Sequence, residues 1–548
     1  MKMNAFIIFN WILILVNIEK TLNGICGTDK LKIKPISINV PELAKKNLLN
    51  ADTYKPIAIG YDFSTLTRPS SMSTTIFSKI KTLLKETREE FSKFLKIKHL
   101  NVGLSNQKDA IMQACFLETI SDDYENFYEI NDIIIFPMFD SNLRSSTLAA
   151  AAPCLIVRTT NRPLAGIVYI NTNINFGATN TDLYLKNILL HEISHILAFH
   201  PSIFSALKMN QTIDSVSYIV SSKVLAKARE HFGCSSLAGV PLENQGGVGS
   251  VGSHWESRYM LGDYMISSAF PDEYISDISL ALFEDTGFYQ VNYYSGGLFK
   301  FGKNKGCDFF NKKCIEDEKA IFEEFCDTQN APQCSSSRTT KSSCYITTYT
   351  EDLEEEYQYF SDPKRGGIVP TNYCPVPYQS HYSTYYFPNH CQVGRSTISS
   401  EYGETIGDES FCFISSLLPS SSSTDVSSQI AICYEIECDT SNSQIIIKIG
   451  SGKVTCPTNG GSISNPSGFK GTIECPAYTE LCSSNNDPIC NEMYDCFDEL
   501  AEKDNYNYET TYDDAGEDDT ILPVSRSESY NIKMNLSLFI LILLLFTN

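Results

Sequence analysis

"LLHEISHILAFHP", Leu189 to Pro201, sets two histidines four residues apart with a glutamate directly after the first. Its flanks, "ILL" and "ILAF", are apolar, and the pattern from Leu183 to Phe199 predicts a helix. On a helix, residues four apart share a face, so His191 and His195 can both point at one ion. Glu192 then lies about 100° further round, beside that ion, where a carboxylate can accept a proton from water. Two satisfied surface histidines would be the plain alternative. The apolar flanks argue against it, because they bury the helix, and two unpaired imidazoles in a buried helix are costly. The stretch is expected to hold one Zn2+.

A catalytic zinc takes three protein ligands and keeps one position open. His200 is the nearest candidate, but nine residues after His191 is about 900° of rotation, which is the opposite face. The familiar short zinc-site pattern would turn the chain on a glycine at position 198 and place a histidine at 201. Here those positions are Ala198 and Pro201, so the third ligand comes from further along. His254 ends a glycine-rich approach, "NQGGVGSVGSH" (Asn244 to His254), that could bring backbone close to the metal helix. A lone histidine after such a loop also reads as a surface residue, and Glu256 offers a carboxylate instead. The loop contains a formal G-x-G-x-x-G (Gly247, Gly249, Gly252), but "LENQ" before it is polar and no strand, which excludes a dinucleotide site.

The run "AKAREHFGCSSLAGVPLENQGGVGSVGSHWESRYMLGDYM" resembles leishmanolysin, a zinc metzincin protease family of cell surfaces. The resemblance continues through "LFEDTGFYQVNY", "FGKNKGCDFFNKKC", "YQYFSDP", "NYCPV", "CYEIECDT" and "CPAYTELC", covering roughly residues 55 to 490. It implies His191, His195 and His254 as zinc ligands, Glu192 as catalytic base and Met265 as the residue of the turn beneath the metal. It also implies a Cys115–Cys154 pair bridging strands ahead of the active-site helix, and Cys26 as a candidate zinc-capping cysteine of a pro-region. Ala198 stands where the family has a glycine; a position needing φ > 0 would cost alanine roughly 1 kcal/mol. The implied fold is α+β: a metzincin-type mixed α/β catalytic domain, a mostly helical central insertion and a Cys-rich C-terminal domain of strands and loops.

The implied activity is a metalloendopeptidase acting on protein or peptide substrates. Zinc activates a water, Glu192 takes its proton as general base, and the same group protonates the leaving amine. "GIVYIN" (Gly166 to Asn171) is the candidate edge strand on which an extended substrate would pair. The alternative is a catalytically silent surface adhesin on the same fold, against which the intact Glu192 speaks.

The rest of the chain frames that reading. At 548 residues it exceeds one compact core. The net charge of −22 argues against nucleic-acid partners. Lys2 followed by an apolar run from Ala5 to Val16 has the form of a secretory signal. The apolar tail Leu536 to Phe546 suits a GPI-attachment signal, with Ser525 or Ser527 as attachment site. A secreted, surface-anchored or extracellular protein follows, with nineteen cysteines expected to form disulfides and Asn210 in "NQT" as a glycosylation site. The expected divisions are a signal peptide (1–24), a short pro-region or extension (25–54), an N-terminal catalytic part (55–200) and a central part (201–306). A Cys-rich domain (307–496), an acidic disordered stalk (497–525) and the anchor signal (526–548) complete it.

Overall fold

The computed structural model describes residues 33–38, 53–99, 108–122, 130–143, 147–177 and 181–482, apart from 248, 269, 271, 294–297, 379–388, 397 and 427. Cys26, the acidic segment, Ser525, Ser527 and both terminal signals lie outside the described residues.

The catalytic part is a five-stranded sheet with helices on both faces. In chain order it contributes β1 (Ile36–Ile38), β2 (Ile59–Tyr61), α1 (Thr74–Phe94), β3 (Leu95–Ile97), α2 (Lys108–Ala114), β4 (Ile133–Asp140), β5 (Ala149–Val157), β6 (Pro163–Asn171) and α3 (Thr181–Leu197). The sheet order is β1-β5-β6-β4-β2. β6 pairs antiparallel with β5 and parallel with β4, while β1 lies parallel along the end of β5. "GIVYIN" is therefore an interior strand whose backbone is bonded on both sides. The expectation that it is an edge open to substrate does not hold. Apolar residues recur at helical spacing from Ile76 to Ile97, yet the helix that Ser73 caps ends at Phe94, and Leu95–Ile97 continues as β3.

α3 packs on the sheet face shared with α1, and a single glycine sets how closely. A Cβ on Gly166 of β6 would lie 2.2 Å from Ile196 Cγ2, so only hydrogen fits between strand and helix there. Ile196 directly follows His195, so this contact seats the histidine turn of the helix. On the sheet's other face, α2 and the strands form a separate apolar cluster containing the Cys115–Cys154 disulfide. That bridge joins the end of α2 to β5, a helix to a strand rather than two strands.

The central stretch holds α4 (Pro201–Ala206), β7 (Asn210–Ile213), β8 (Val216–Ile219), α5 (Ser222–Phe232), β9 (Val240–Pro241), α6 (Ser257–Met260), α7 (Asp277–Asp285) and β10 (Tyr289–Val291). Strands β9, β8 and β7 form a small antiparallel sheet, and β10 returns to pair with β3. One apolar core runs from Ile57 through these elements to Val376, without a break at residue 307. A distinct C-terminal core fills a six-stranded antiparallel sheet between Ser410 and Cys475. In "LLPSSSSTD", Leu417 and Leu418 are buried, and only the stretch from Ser420 to Asp425 lies at the surface. Eight disulfides cross-link the described residues, six of them between Cys314 and Cys482.

Gly166→Ala should lower thermal stability by an amount equivalent to about 1–3 kcal/mol, because a methyl group is forced into a filled space. A melting temperature unchanged from the parent chain would show that α3 can withdraw from the sheet at no cost.

Candidate metal centre

α3 presents His191 and His195 on one face, as their spacing requires, and the chain brings His254 to meet them. The approach is the glycine loop. Gly246, Gly247, Gly249 and Gly252 all take left-handed backbone, with φ of 78°, 74°, 106° and 82°, a conformation side-chain-bearing residues avoid. This coil folds the loop back on itself, so that the Ser250 carbonyl accepts a hydrogen bond from His254 Nδ1 at 2.8 Å. His191 Nδ1 likewise donates to the Tyr264 carbonyl at 2.6 Å, and His195 Nδ1 to the Phe199 carbonyl at 2.7 Å.

Those three bonds decide the chemistry of the cluster. A carbonyl only accepts, so each Nδ1 carries the ring proton and each Nε2 of a neutral ring is left as a bare lone pair. The three Nε2 atoms stand 3.1, 3.2 and 3.2 Å apart. Three lone pairs aimed at one point repel unless a cation lies among them. Tetrahedral metal–nitrogen bonds of the zinc length, about 2.0–2.1 Å, space ligand nitrogens about 3.3–3.4 Å apart. The observed spacing is close to that, so the donor set fits a divalent metal. Burial also keeps the rings neutral, which is the ligand form: it pushes His191 down to about 4, His254 to about 3 and His195 well below its ordinary value. His195 and His254 are fully buried, whereas His191 keeps partial exposure.

Glu192 is fully buried on α3, next to the first histidine. Met265 is also fully buried, in a turn whose backbone is held on both sides. Its N–H donates to Asp263 Oδ1 at 2.8 Å, and its carbonyl accepts from Trp255 N, adjacent to His254, at 3.0 Å. Asp263 further accepts from Ser279 Oγ, which in turn accepts from Trp255 Nε1, both at 2.8 Å. Residues Asp263, Tyr264 and Ser250 thus orient the site, and motif and spacing do not single them out. Their signal is slight: an aspartate and a tyrosine in an otherwise apolar turn, "LGDYM".

The remaining candidates have other places. His200 stands outside the cluster and caps α4, its Nδ1 accepting from Ser202 N at 3.2 Å, with Pro201 as the first helical residue. Ala198 is not in left-handed backbone, and its N–H still bonds to the Ser194 carbonyl at 2.9 Å. The turn is made beyond it, where His200 N donates to the Ala198 carbonyl at 2.9 Å, so the expected alanine strain is absent. Glu256 caps α6, accepting from Arg258 N, and is not part of the histidine cluster. Burial pushes it up to about 8, and burial and the nearby Glu256 charge raise Glu243 as well. Asn210 opens β7 on a largely exposed hairpin, its Nδ2 donating to Ser217 Oγ at 3.3 Å.

His200 and His390 are both buried, and burial depresses each to about 4. The folded state then refuses protons that the unfolded chain accepts near pH 6.5. Stability present above that pH is lost as pH falls towards 4, by on the order of a few kcal/mol per group. His200→Asn, which keeps a capping side chain, should retain bound metal and make the loss of melting temperature between pH 6.5 and 4.5 shallower. Loss of metal from that variant would return His200 to the ligand set.

Comparison with known proteins bears on the whole assembly. The family model for leishmanolysin, peptidase M8, matches residues 128–488. A leishmanolysin homolog of Crithidia fasciculata is 32% identical over 360 residues, 62% of this chain and 53% of that protein. Leishmanolysin of Leishmania chagasi is 29% identical over 374 residues, 64% and 60% of the two chains. A leishmanolysin-like peptidase of Caenorhabditis briggsae is 27% identical over 328 residues, 51% and 48%. The matches span about half to three-fifths of these relatives. The matched region contains the histidine cluster, Glu192, the Met265 turn and most of the Cys-rich part, and this chain belongs to the leishmanolysin family.

Proposed function

We propose that the chain is a zinc metalloendopeptidase that hydrolyses peptide bonds in proteins. The observation that carries the reading is the convergence of three neutral imidazoles, each with its Nδ1 tied to backbone, on a helix whose next residue after His191 is a buried glutamate. A zinc ion held by His191, His195 and His254 would act as a Lewis acid on the scissile carbonyl and make water acidic enough to deprotonate near neutral pH.

Glu192 is the general base: its carboxylate takes the proton of the attacking water and hands it to the departing amine. The partly exposed side of His191 gives substrate its way in. The three carbonyls hold the imidazoles still, so little reorganisation accompanies the build-up of charge. We further read the chain as a surface or extracellular protein, from the form of its two ends and its disulfide density, with a GPI anchor as the attachment. No helix among the described residues is long and apolar enough to cross a membrane. Protein degradation or adhesion at the cell surface would be its setting.

Glu192→Ala should fold, retain one zinc per chain and lose about 10²–10⁴-fold in peptide hydrolysis. Near-parental turnover by the purified variant would remove Glu192 from the chemistry. His254→Ala should lose its zinc under dialysis that leaves the parent loaded; stoichiometric zinc in that variant would mean the third ligand is another group.

A further inference from the structure

Ser194 lies on α3 between the two histidines, fully buried, and its Oγ stands 2.8 Å from the hydroxyl of Tyr264. The direction of that bond can be worked out. Ser194 Oγ donates its own proton to the Leu190 carbonyl one turn back, at 2.8 Å. The proton in the Ser194–Tyr264 contact therefore comes from the phenol, with Ser194 as acceptor.

Tyr264 is also the residue whose carbonyl takes the Nδ1 proton of His191. Its N–H donates to the Tyr274 carbonyl at 2.9 Å, and its ring packs edge-on against Phe199, whose carbonyl holds His195. One side chain thus spans from the metal helix to the turn beneath it, while its own backbone fixes a metal-site imidazole.

We propose that Tyr264 is a positioning residue of the metal centre. Its hydroxyl, anchored on Ser194, sets the distance between the turn and α3, and so the orientation in which the Tyr264 carbonyl presents His191 to the ion. This rests on the metal-centre reading above but adds a role for two residues that touch neither metal nor substrate.

The test uses the full chain and three variants: Tyr264→Phe, Ser194→Ala and the two combined. The readouts are zinc affinity by chelator competition, the visible absorption spectrum of the cobalt-substituted protein, and thermal stability. Each single variant should bind zinc about 10-fold more weakly and shift the cobalt bands. The double variant separates positioning from packing. Removing both partners leaves no orphaned polar group, so its stability should recover relative to Ser194→Ala. Its zinc affinity should stay low, because the anchor is still missing. Variants that match the parent in zinc affinity and cobalt spectrum overturn the proposal, as does a double variant whose affinity recovers along with its stability. If Tyr264→Phe fails to fold, the zinc affinity and cobalt spectrum of Ser194→Ala alone support or overturn it in the same way. A parent chain that takes up no zinc sinks the metal-centre reading itself, and this inference with it.

Discussion

Each of the three clustered imidazoles spends its Nδ1 proton on a backbone carbonyl, and the three carbonyls come from three separate stretches of chain: Phe199 at the end of α3, Ser250 in the glycine loop, and Tyr264 in the turn. This arrangement fixes the tautomer and leaves three lone pairs facing one another, a donor set compatible with a metal ion. It also explains why the supporting structure is so extensive. A carbonyl can hold an imidazole only as steadily as its own peptide is held. The loop is therefore coiled through four left-handed glycines, the turn is tied by Asp263 to α7 and Trp255, and the helix is seated on the sheet at Gly166.

Local periodicity made part of this legible in the sequence. The helix at Thr181–Leu197, the strands at Ile133–Asp140 and Pro163–Asn171, and the stop of α5 before Gly233 all follow from patterns within a few residues. The metal helix and the expectation that His200 faces away are of the same kind, since both depend only on helical rotation. The third histidine is different. Its residues alone left it level with a surface histidine or a neighbouring carboxylate, and the resemblance to a family separated them.

What escaped was whatever depends on a partner distant in sequence. β5 reads "AAAAPCLIV", four small helix-favouring residues and a proline, yet it is a strand because β6 pairs along it, with the register shifting just after Pro153. Whether "GIVYIN" is an edge or an interior strand is likewise settled by neighbours and not by its own residues. Leu95 to Ile97 continue the apolar pattern of α1 with no glycine or proline to mark a change, and they become a strand because Tyr289–Val291 lies alongside. Ser194 and Tyr264 are seventy residues apart, and neither is unusual in its own segment.

The Cys-rich region takes on a particular meaning if the chain is a protease. Cleavage by such an enzyme requires a segment to be drawn out extended across the active site. Between Cys314 and Cys482 the backbone is mostly short strands and turns, the kind of structure that opens locally at small cost. Six cross-links close loops of 18 to 78 residues there, so a segment that opens stays tethered at its cysteines to the rest of the fold. The disulfides then limit how far this region can unravel into the extended form that a protease cuts.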